Sequence, residues 1–544
     1  MSKIAFEDAW SPGPDYHREV QMEDHMRHDP IRPNFLASLR LGAISISVCG
    51  VVTACQSAQL PIPEPTYDLI VTGAMIVSPE SVHDGQVLDV AIDSGQIVAV
   101  GDLSSGAARD VIDADGRFLL PGLIDGHVHL YHATGLRRRD TPDFDALHAA
   151  YLRQMPRSYL FHGFTTVVEL NADPETNARF LEAPDRPRLT HCGPGVVLPD
   201  GFMALEVPID ALADAFPALL HDRFGRGTLA PGMLAADHTP EAVLDAIQTA
   251  GGQCVKLYYE EALWWPGGAP DFALPSLPIL REMTAAARAR GMPVLFHATT
   301  PAGVEVGISA DIDILAHGPW EWPRDGFAAP EPGEQVTETM AALAKTGIGM
   351  QSTMRTLANT GSLFRPELLE DPAWLDVIPA DMLRHLRSGA QIQRDEFLAR
   401  FGPVILASGQ TVEDMPALQA NFFRRYQALL AGFHQNGGSL LFGTDTAVGG
   451  FGWASPPGLA GYWEMRDWED SGISPEDILA AATIRNARAV GMGNQRGLIA
   501  SGYDADLLIL NADPREAISA FEQIETVVLE GRPINRASLS ARAE

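Results

Sequence analysis

Residues 121–130 read Pro-Gly-Leu-Ile-Asp-Gly-His-Val-His-Leu. Side chains two apart on a β-strand share a face, so His127 and His129 point to the same side of this apolar run. A single buried histidine is best read as a hydrogen-bonded core residue. Two on one face need more partners than a strand supplies, because polar groups are costly to bury unpaired.

Working outward, apolar runs recur at 123–129, 165–170, 189–193, 253–259, 293–297, 313–317, 347–352 and 439–445. Several are followed by amphipathic stretches. The stretch 276–290 carries apolar or Ala positions at helical spacing and has Gly291 as its C-cap. Eight strand–helix units predict an α/β fold, a parallel (β/α)8 TIM barrel. Ionisable residues end five of its strands: His127 and His129 on the first, Lys256 on the fourth, His297 on the fifth, His317 on the sixth and Asp445 on the eighth. The C-terminal strand ends are where such barrels carry their chemistry. Imidazole with carboxylate suits zinc, and also manganese, cobalt or iron.

This order of residues resembles the amidohydrolase superfamily over about residues 67–535. The likeness rests on the His-x-His after Pro-Gly-Leu-Ile-Asp, the strand-4 lysine, the two single histidines and the strand-8 aspartate. It extends to Gly163-Phe-Thr-Thr-Val, Thr483-Ile-Arg-Asn-Ala-Arg-Ala and Gly497-Leu-Ile-Ala-Ser-Gly-Tyr-Asp-Ala-Asp-Leu. Val-Lys-Leu-Tyr-Tyr, Leu-Phe-His-Ala and Leu-Ala-His-Gly are similar to the branch holding imidazolonepropionase-like, Xaa-Pro dipeptidase-like and ochratoxin-type amidohydrolases. The resemblance implies two divalent metal ions: one on His127, His129 and Asp445, the other on His297 and His317. Lys256, carboxylated by CO2, would bridge them. A carbamate is anionic where an ammonium has the wrong sign, although Lys256 as an ordinary buried salt-bridge lysine stays open. Asp445 would act as general base and then general acid.

The branch implies cleavage of an amide bond in a dipeptide or N-acyl amino acid. An esterase, lactonase or carbamate hydrolase on the same centre is the alternative, and a non-catalytic binding relative is a third reading. The bridging-lysine pattern disfavours the deaminases. Tyr258 lies on the face of Lys256 and is a candidate hydrogen-bond donor to a substrate carbonyl or carboxylate, with plain packing equally open. Trp264-Trp265-Pro266 reads either as an apolar substrate wall or as a loop anchor. His132 reads as a surface histidine before a pocket residue, and His162 and His191 as structural.

The chain ends read differently. Residues 41–54 form an uncharged apolar run preceded by Arg27, Arg32 and Arg40, with the proportions of an export signal. Val52-Thr53-Ala54-Cys55 resembles a bacterial lipoprotein signal-peptidase box, which implies an envelope protein anchored by acyl chains on Cys55. Residues 1–25 carry two basic residues against six acids, so translation is expected to start at Met26. The domain plan is a signal region over 1–55, a Pro-rich tether over 56–66, a β unit over 67–120, the barrel over 121–490 and a second β unit over 491–544. The two β units are expected to make one β-sandwich flanking the barrel, and 318–438 a helical cap. Cys192 and Cys254 are too few for a disulfide framework, and Cys254 reads as core. With 39 basic against 70 acidic residues, net charge −31 disfavours a nucleic-acid partner. A small-molecule substrate is expected, membrane contact only through the lipid anchor, and the acidic surface would permit a homo-oligomer.

Overall fold

The computed structural model describes residues 66–543, apart from 104–106, 139–140, 205–206, 209–210, 226–228, 230, 263–270, 323–330, 408–410 and 448–454. The signal region, the tether and Trp264-Trp265-Pro266 therefore lie outside the described residues.

Both chain ends build one sheet. Strands β1 (Thr66–Ile76), β2 (Val87–Asp93), β3 (Gln96–Gly101), β4 (Ala107–Asp113) and β5 (Phe118–Pro121) are joined there by three strands from the far end. The alternating β-branched residues of the N-terminal runs suit such a half-buried surface. The long β1 pairs β2 along one edge and both β4 and β5, in parallel, along the other. Leu69, Val71, Val90, Ile92 and Ile97 from the first end pack with Leu507, Ile509 and Val528 from the second.

The middle of the chain supplies eight parallel strands. Strands β6 (Leu123–Val128), β7 (Phe164–Glu169) and β8 (Arg188–His191) form one sheet. Strands β9 (Val255–Tyr259), β10 (Val294–Ala298), β11 (Ile314–Leu315), β12 (Gly349–Gln351) and β13 (Ser439–Leu441) form another. Each matches an apolar run in the sequence to within two residues at either end, except that β13 stops four residues short, so Asp445 follows the strand instead of ending it. Isolated parallel bridges join the two sheets at both seams, Val196 with Leu257 and Val128 with Thr446. Strand β14 (Leu507–Leu510) then pairs antiparallel with β5, and β15 (Ile524–Leu529) and β16 (Arg532–Asn535) complete the terminal sheet. Thus β5 lies in the terminal sheet while β6, two residues on, opens the parallel one.

The helices follow local rules. The helix Leu277–Ala289 starts at Ser276, whose hydroxyl accepts from the Ile279 amide, and ends before Gly291 at φ 70°. Its Ile279, Leu280, Met283 and Ala287 are buried against the sheet. The segment 318–438 holds helix Glu334–Leu343 and β12, then Met354–Ser362, Ala380–Ala407 and Met415–Gln435. Its extra helices thus follow β12. Among the described residues no helix is long and apolar enough to cross a membrane.

The cysteines correct the sequence reading. Cys192 and Cys254 are buried and joined as a disulfide, across 62 positions of sequence. One bridge is no framework, but neither residue is a plain core thiol. The sequence could not show this, because the contact joins Cys192, just after β8, to Cys254, just before β9, where the Gln253 amide donates to the His191 carbonyl. Closing a loop of this length restricts the unfolded chain by roughly 4 kcal/mol. Replacing both cysteines by Ser should lower stability by up to that amount in urea titrations. An unchanged midpoint would show that the bridge contributes nothing.

Candidate metal centre

The first and last parallel strands are stitched together beside the histidines. The Asp445 amide donates to the His127 carbonyl at 2.8 Å, and the His129 amide donates to the Thr446 carbonyl at 2.6 Å. The buried Asp125 carboxylate accepts from the His127 amide, the Thr444 amide and the Thr444 hydroxyl, at 3.2, 3.1 and 2.7 Å. Asn486, from the Thr-Ile-Arg-Asn motif, donates its amide nitrogen to the Ile124 and Phe442 carbonyls at 2.9 and 2.7 Å. Its oxygen accepts from the Phe442 amide at 3.1 Å. Gly126 has to be glycine here, since a Cβ would lie 2.7 Å from the Phe442 carbonyl oxygen.

This seam brings His127, His129 and Asp445 together, with one ligand atom from each lying within 4.8 Å of the others. Asp445 Oδ1 is 3.1 Å from Nε2 of both histidines. The remaining nitrogens are committed elsewhere. His127 Nδ1 meets the Ala316 carbonyl at 3.1 Å, and His129 Nδ1 meets Glu169 Oε1 at 3.2 Å. Oxygen acceptors of this kind place the hydrogen on Nδ1 and leave Nε2 to face Asp445. Asp445 Oδ2 accepts from the Thr356 hydroxyl at 3.2 Å.

The other expected residues adjoin this triad. His317 packs against both His127 and His297, with ring centroids 4.9 and 4.7 Å apart, and its Nδ1 meets the Thr353 hydroxyl at 3.0 Å. His297 Nε2 is 2.8 Å from Glu260 Oε2. Lys256 is buried, and its Nζ has no hydrogen-bond partner among the described residues. Half-buried Tyr258 sits beside His297, with Lys256 Nζ 5.6 Å from its ring centre. All six expected metal-site residues and Tyr258 therefore gather at one end of the parallel strands.

Electrostatics fit a cation. Burial, with the Lys256 charge adding to it, lowers the imidazoles of His127 and His297 to about 3, and burial holds His317 well below its ordinary value. All three are thus neutral and able to donate a lone pair. Burial also lowers His129, but the hydrogen bonds to Asp445 and Glu169 outweigh it and raise the ring to about 9. Burial would raise Asp445, yet the surrounding imidazoles hold it well below the carboxylate range. Burial brings the Lys256 ammonium down to about 8 against the pull of Asp445 and Glu169. Neutral imidazoles, an ionised aspartate and a buried lysine nitrogen that meets no acceptor among the described residues could hold a cation, with the ammonium as the member of wrong sign.

Several residues here escaped the sequence reading. Glu169 ends β7 fully buried and accepts from the Leu130 and Asn171 amides as well as holding His129. It closes the apolar run Phe-Thr-Thr-Val-Val-Glu, the same signal that marked His297 and His317. Asn171 donates to the Tyr131 hydroxyl at 3.3 Å and accepts from the Gly195 amide at 2.8 Å. His132 is half-buried rather than on the surface, stacked 4.0 Å from Tyr131 and 6.4 Å from His129. His191 Nδ1 accepts from the Gly193 amide, and His162 stacks on Tyr462. Neither lies in the cup.

With this geometry in place, the comparisons with known proteins agree. The amidohydrolase family model matches residues 118–534, and the chain belongs to that family. A 5-methylthioadenosine/S-adenosylhomocysteine deaminase from Halobacterium salinarum is 28% identical over 308 residues, 52% of this chain and 64% of that one. An allantoinase from Desulfitobacterium hafniense is 40% identical over 63 residues, 12% of this chain and 13% of that one. The chain thus spans less than two thirds of these curated relatives. Among solved structures, a Xaa-Pro dipeptidase with bound methionine matches 86% of this chain and 99% of its own, at TM-score 0.53 and 17% identity. The ochratoxinase of A. niger matches 87% and 96%, at TM-score 0.56 and 18% identity.

The Asn486 stitch should be measurable. Asn486→Ala removes three bonds and leaves the buried Phe442 amide unpaired, at a cost of roughly 2–3 kcal/mol. The exposed Asn494→Ala serves as control and should stay within about 0.5 kcal/mol in the same urea titration.

Proposed function

We propose that this protein is a metal-dependent hydrolase that cleaves an amide bond in a dipeptide or N-acyl amino acid, with its eight parallel strands closed as a barrel around a binuclear centre. The observation that carries this reading is the convergence of His127, His129 and Asp445 beside a buried lysine nitrogen without a hydrogen-bond partner among the described residues. Reaction of the neutral Lys256 amine with CO2 forms one N–C bond and releases one proton. It turns the group of wrong sign into an anionic ligand, which together with His127, His129, Asp445, His297 and His317 would hold two cations. Zinc suits this donor set, and manganese, cobalt or iron would also fit.

When bound, the two cations supply an acidified water and polarise the scissile carbonyl. The chain's own residues do the rest. Asp445, held on Oδ2 by Thr356, takes the proton of the attacking water and returns it to the departing nitrogen. Tyr258 offers its hydroxyl to the substrate carbonyl oxygen or to a substrate carboxylate. Glu169 keeps His129 in the tautomer that presents Nε2. The partner is a small molecule rather than nucleic acid, in keeping with the net charge of −31.

Metal analysis with a hydrolysis screen tests this. The panel is dipeptides, N-acyl amino acids, lactones and aryl carbamates. About two metals per chain are expected, with amide turnover that falls about 100- to 10,000-fold in Asp445→Asn. No bound metal after growth with zinc or manganese would overturn the mechanism. Turnover of lactones or carbamates alone would move the activity to ester-type substrates, and purely deaminated products would move it to another class.

We further propose that the protein resides at the bacterial cell envelope through a lipid anchor on Cys55. The buried Cys192–Cys254 disulfide supports an oxidising compartment. Membrane fractionation should find the wild type with the membrane and Cys55→Ala released. Identical soluble behaviour of the two would sink the anchor.

A further inference from the structure

One imidazole of the cup is held differently from its neighbours. His127, His129 and His317 are engaged at Nδ1, whereas His297 is engaged at Nε2, by Glu260. Glu260 is itself buried, at 3% exposure, directly after β9. The backbone turns sharply beyond it, with Ala262 at φ 47°, so that the Ala262 amide folds back onto Glu260 Oε1. The Thr299 hydroxyl lies 3.2 Å from Glu260 Oε2 and 3.0 Å from Glu321 Oε1. The Glu321 amide, in turn, donates to the Thr299 carbonyl at 2.8 Å. The His297 ring has little room to rotate, stacked 6.3 Å from Phe202 and edge-on to His317. Val196, Leu198, Phe202, Leu220 and Leu257 surround this corner, and low polarity strengthens a charge-assisted hydrogen bond.

We propose that the Glu260–Thr299–Glu321 chain is a positioning device for His297: it keeps the hydrogen on Nε2 and dedicates Nδ1 to the second metal position. The proposal rests on the binuclear reading above. In the ionised form, which the Ala262 amide and the Thr299 hydroxyl favour, Glu260 can only accept, so it tolerates one tautomer of the ring. A glutamine at 260 could turn its NH2 toward Nε2 and stabilise the other tautomer, whose Nδ1 carries a hydrogen and cannot bind a cation. Glu260 acts through His297 and makes no hydrogen bond to His127, His129 or Asp445.

Two measurements on Glu260→Gln test this. In metal-free protein, 15N spectra of the histidine side chains should show one ring leaving the Nε2–H form relative to wild type. In metal titrations followed by elemental analysis, wild type should hold two ions. The variant should keep the first and bind the second about 10- to 100-fold more weakly. Glu260→Asp, which retains the carboxylate, should recover part of that affinity, which a merely structural role would not require. Should Glu260→Gln fail to fold, Thr299→Val removes one link of the same chain, and a weakened second ion is expected again. Two ions of unchanged affinity in the folded variant, with unchanged histidine spectra, would overturn the inference and leave the binuclear reading intact. A wild type that binds a single ion would instead overturn the binuclear reading, and the tautomer shift would then judge Glu260 alone.

Discussion

One ammonium, four imidazoles and one aspartate are packed at the end of a parallel sheet, largely out of water, and their charges have to be reconciled there. Desolvation penalises every ionised group in such a place unless an opposite charge or hydrogen bonds compensate. Asp445 is compensated by two imidazole nitrogens and the Thr356 hydroxyl. Lys256 Nζ meets no hydrogen-bond acceptor among the described residues. Around this inner group stand further buried carboxylates, Asp125, Glu169 and Glu260, each turned toward a backbone or side chain of a cup residue. Hydrogen bonds and charge from Asp445 and Glu169 outweigh the burial of His129, so its ring holds its proton more tightly. A divalent cation held there would relieve this imbalance more fully than a proton can.

That imbalance survives only because the backbone around it is over-determined. Asn486 ties Ile124 to Phe442, Asp125 ties His127 to Thr444, and main-chain bonds join Asp445 to His127 and His129 to Thr446. The ligands therefore cannot drift apart to seek water. Buried Glu464 accepts from the Met354 and Arg355 amides and so anchors the start of the helix that carries Thr356. Placement of Asp445 is thereby coupled, through Thr356, to a helix some twenty residues beyond it in sequence. The terminal sheet contributes too, because β5 fixes where β6 begins and β14 pairs with β5 from the other end of the chain.

The eight parallel strands and the six cup residues were legible in the sequence because both signals are local. Strand periodicity and a polar residue ending an apolar run can be read within a few positions, as in Leu-Phe-His or Leu-Ala-His. Glu169 carried that same local signal and was passed over because a lone glutamate has no second residue two positions away to mark it. The roles of Asp125, Thr356, Glu260 and Asn486 are different in kind. Each depends on a contact made across strands, with partners from 37 positions away for Glu260 and His297 to 362 for Asn486 and Ile124. No window along the chain contains both ends of such a contact. The Cys192–Cys254 bridge was missed for the same reason.

The residues that choose the substrate are harder to read than those that hold a cation, and the chemistry explains the difference. A cation site constrains element type: its donors must be nitrogen or oxygen, lone pairs free, at the ends of a few strands. A substrate wall constrains only shape and polarity, which many residues satisfy. Phe202 and Tyr258 illustrate this. Both flank His297, yet an aromatic ring beside an imidazole serves packing as well as recognition. Tyr131 differs, because its hydroxyl is already fixed by Asn171, which in turn holds the Gly195 amide. A phenol whose hydrogen bond is supplied from behind can turn its proton toward the cup at no further cost in orientation. Tyr131 thus adds a polar edge to the cup, in contrast to the apolar corner around Leu198, Leu220 and Leu257.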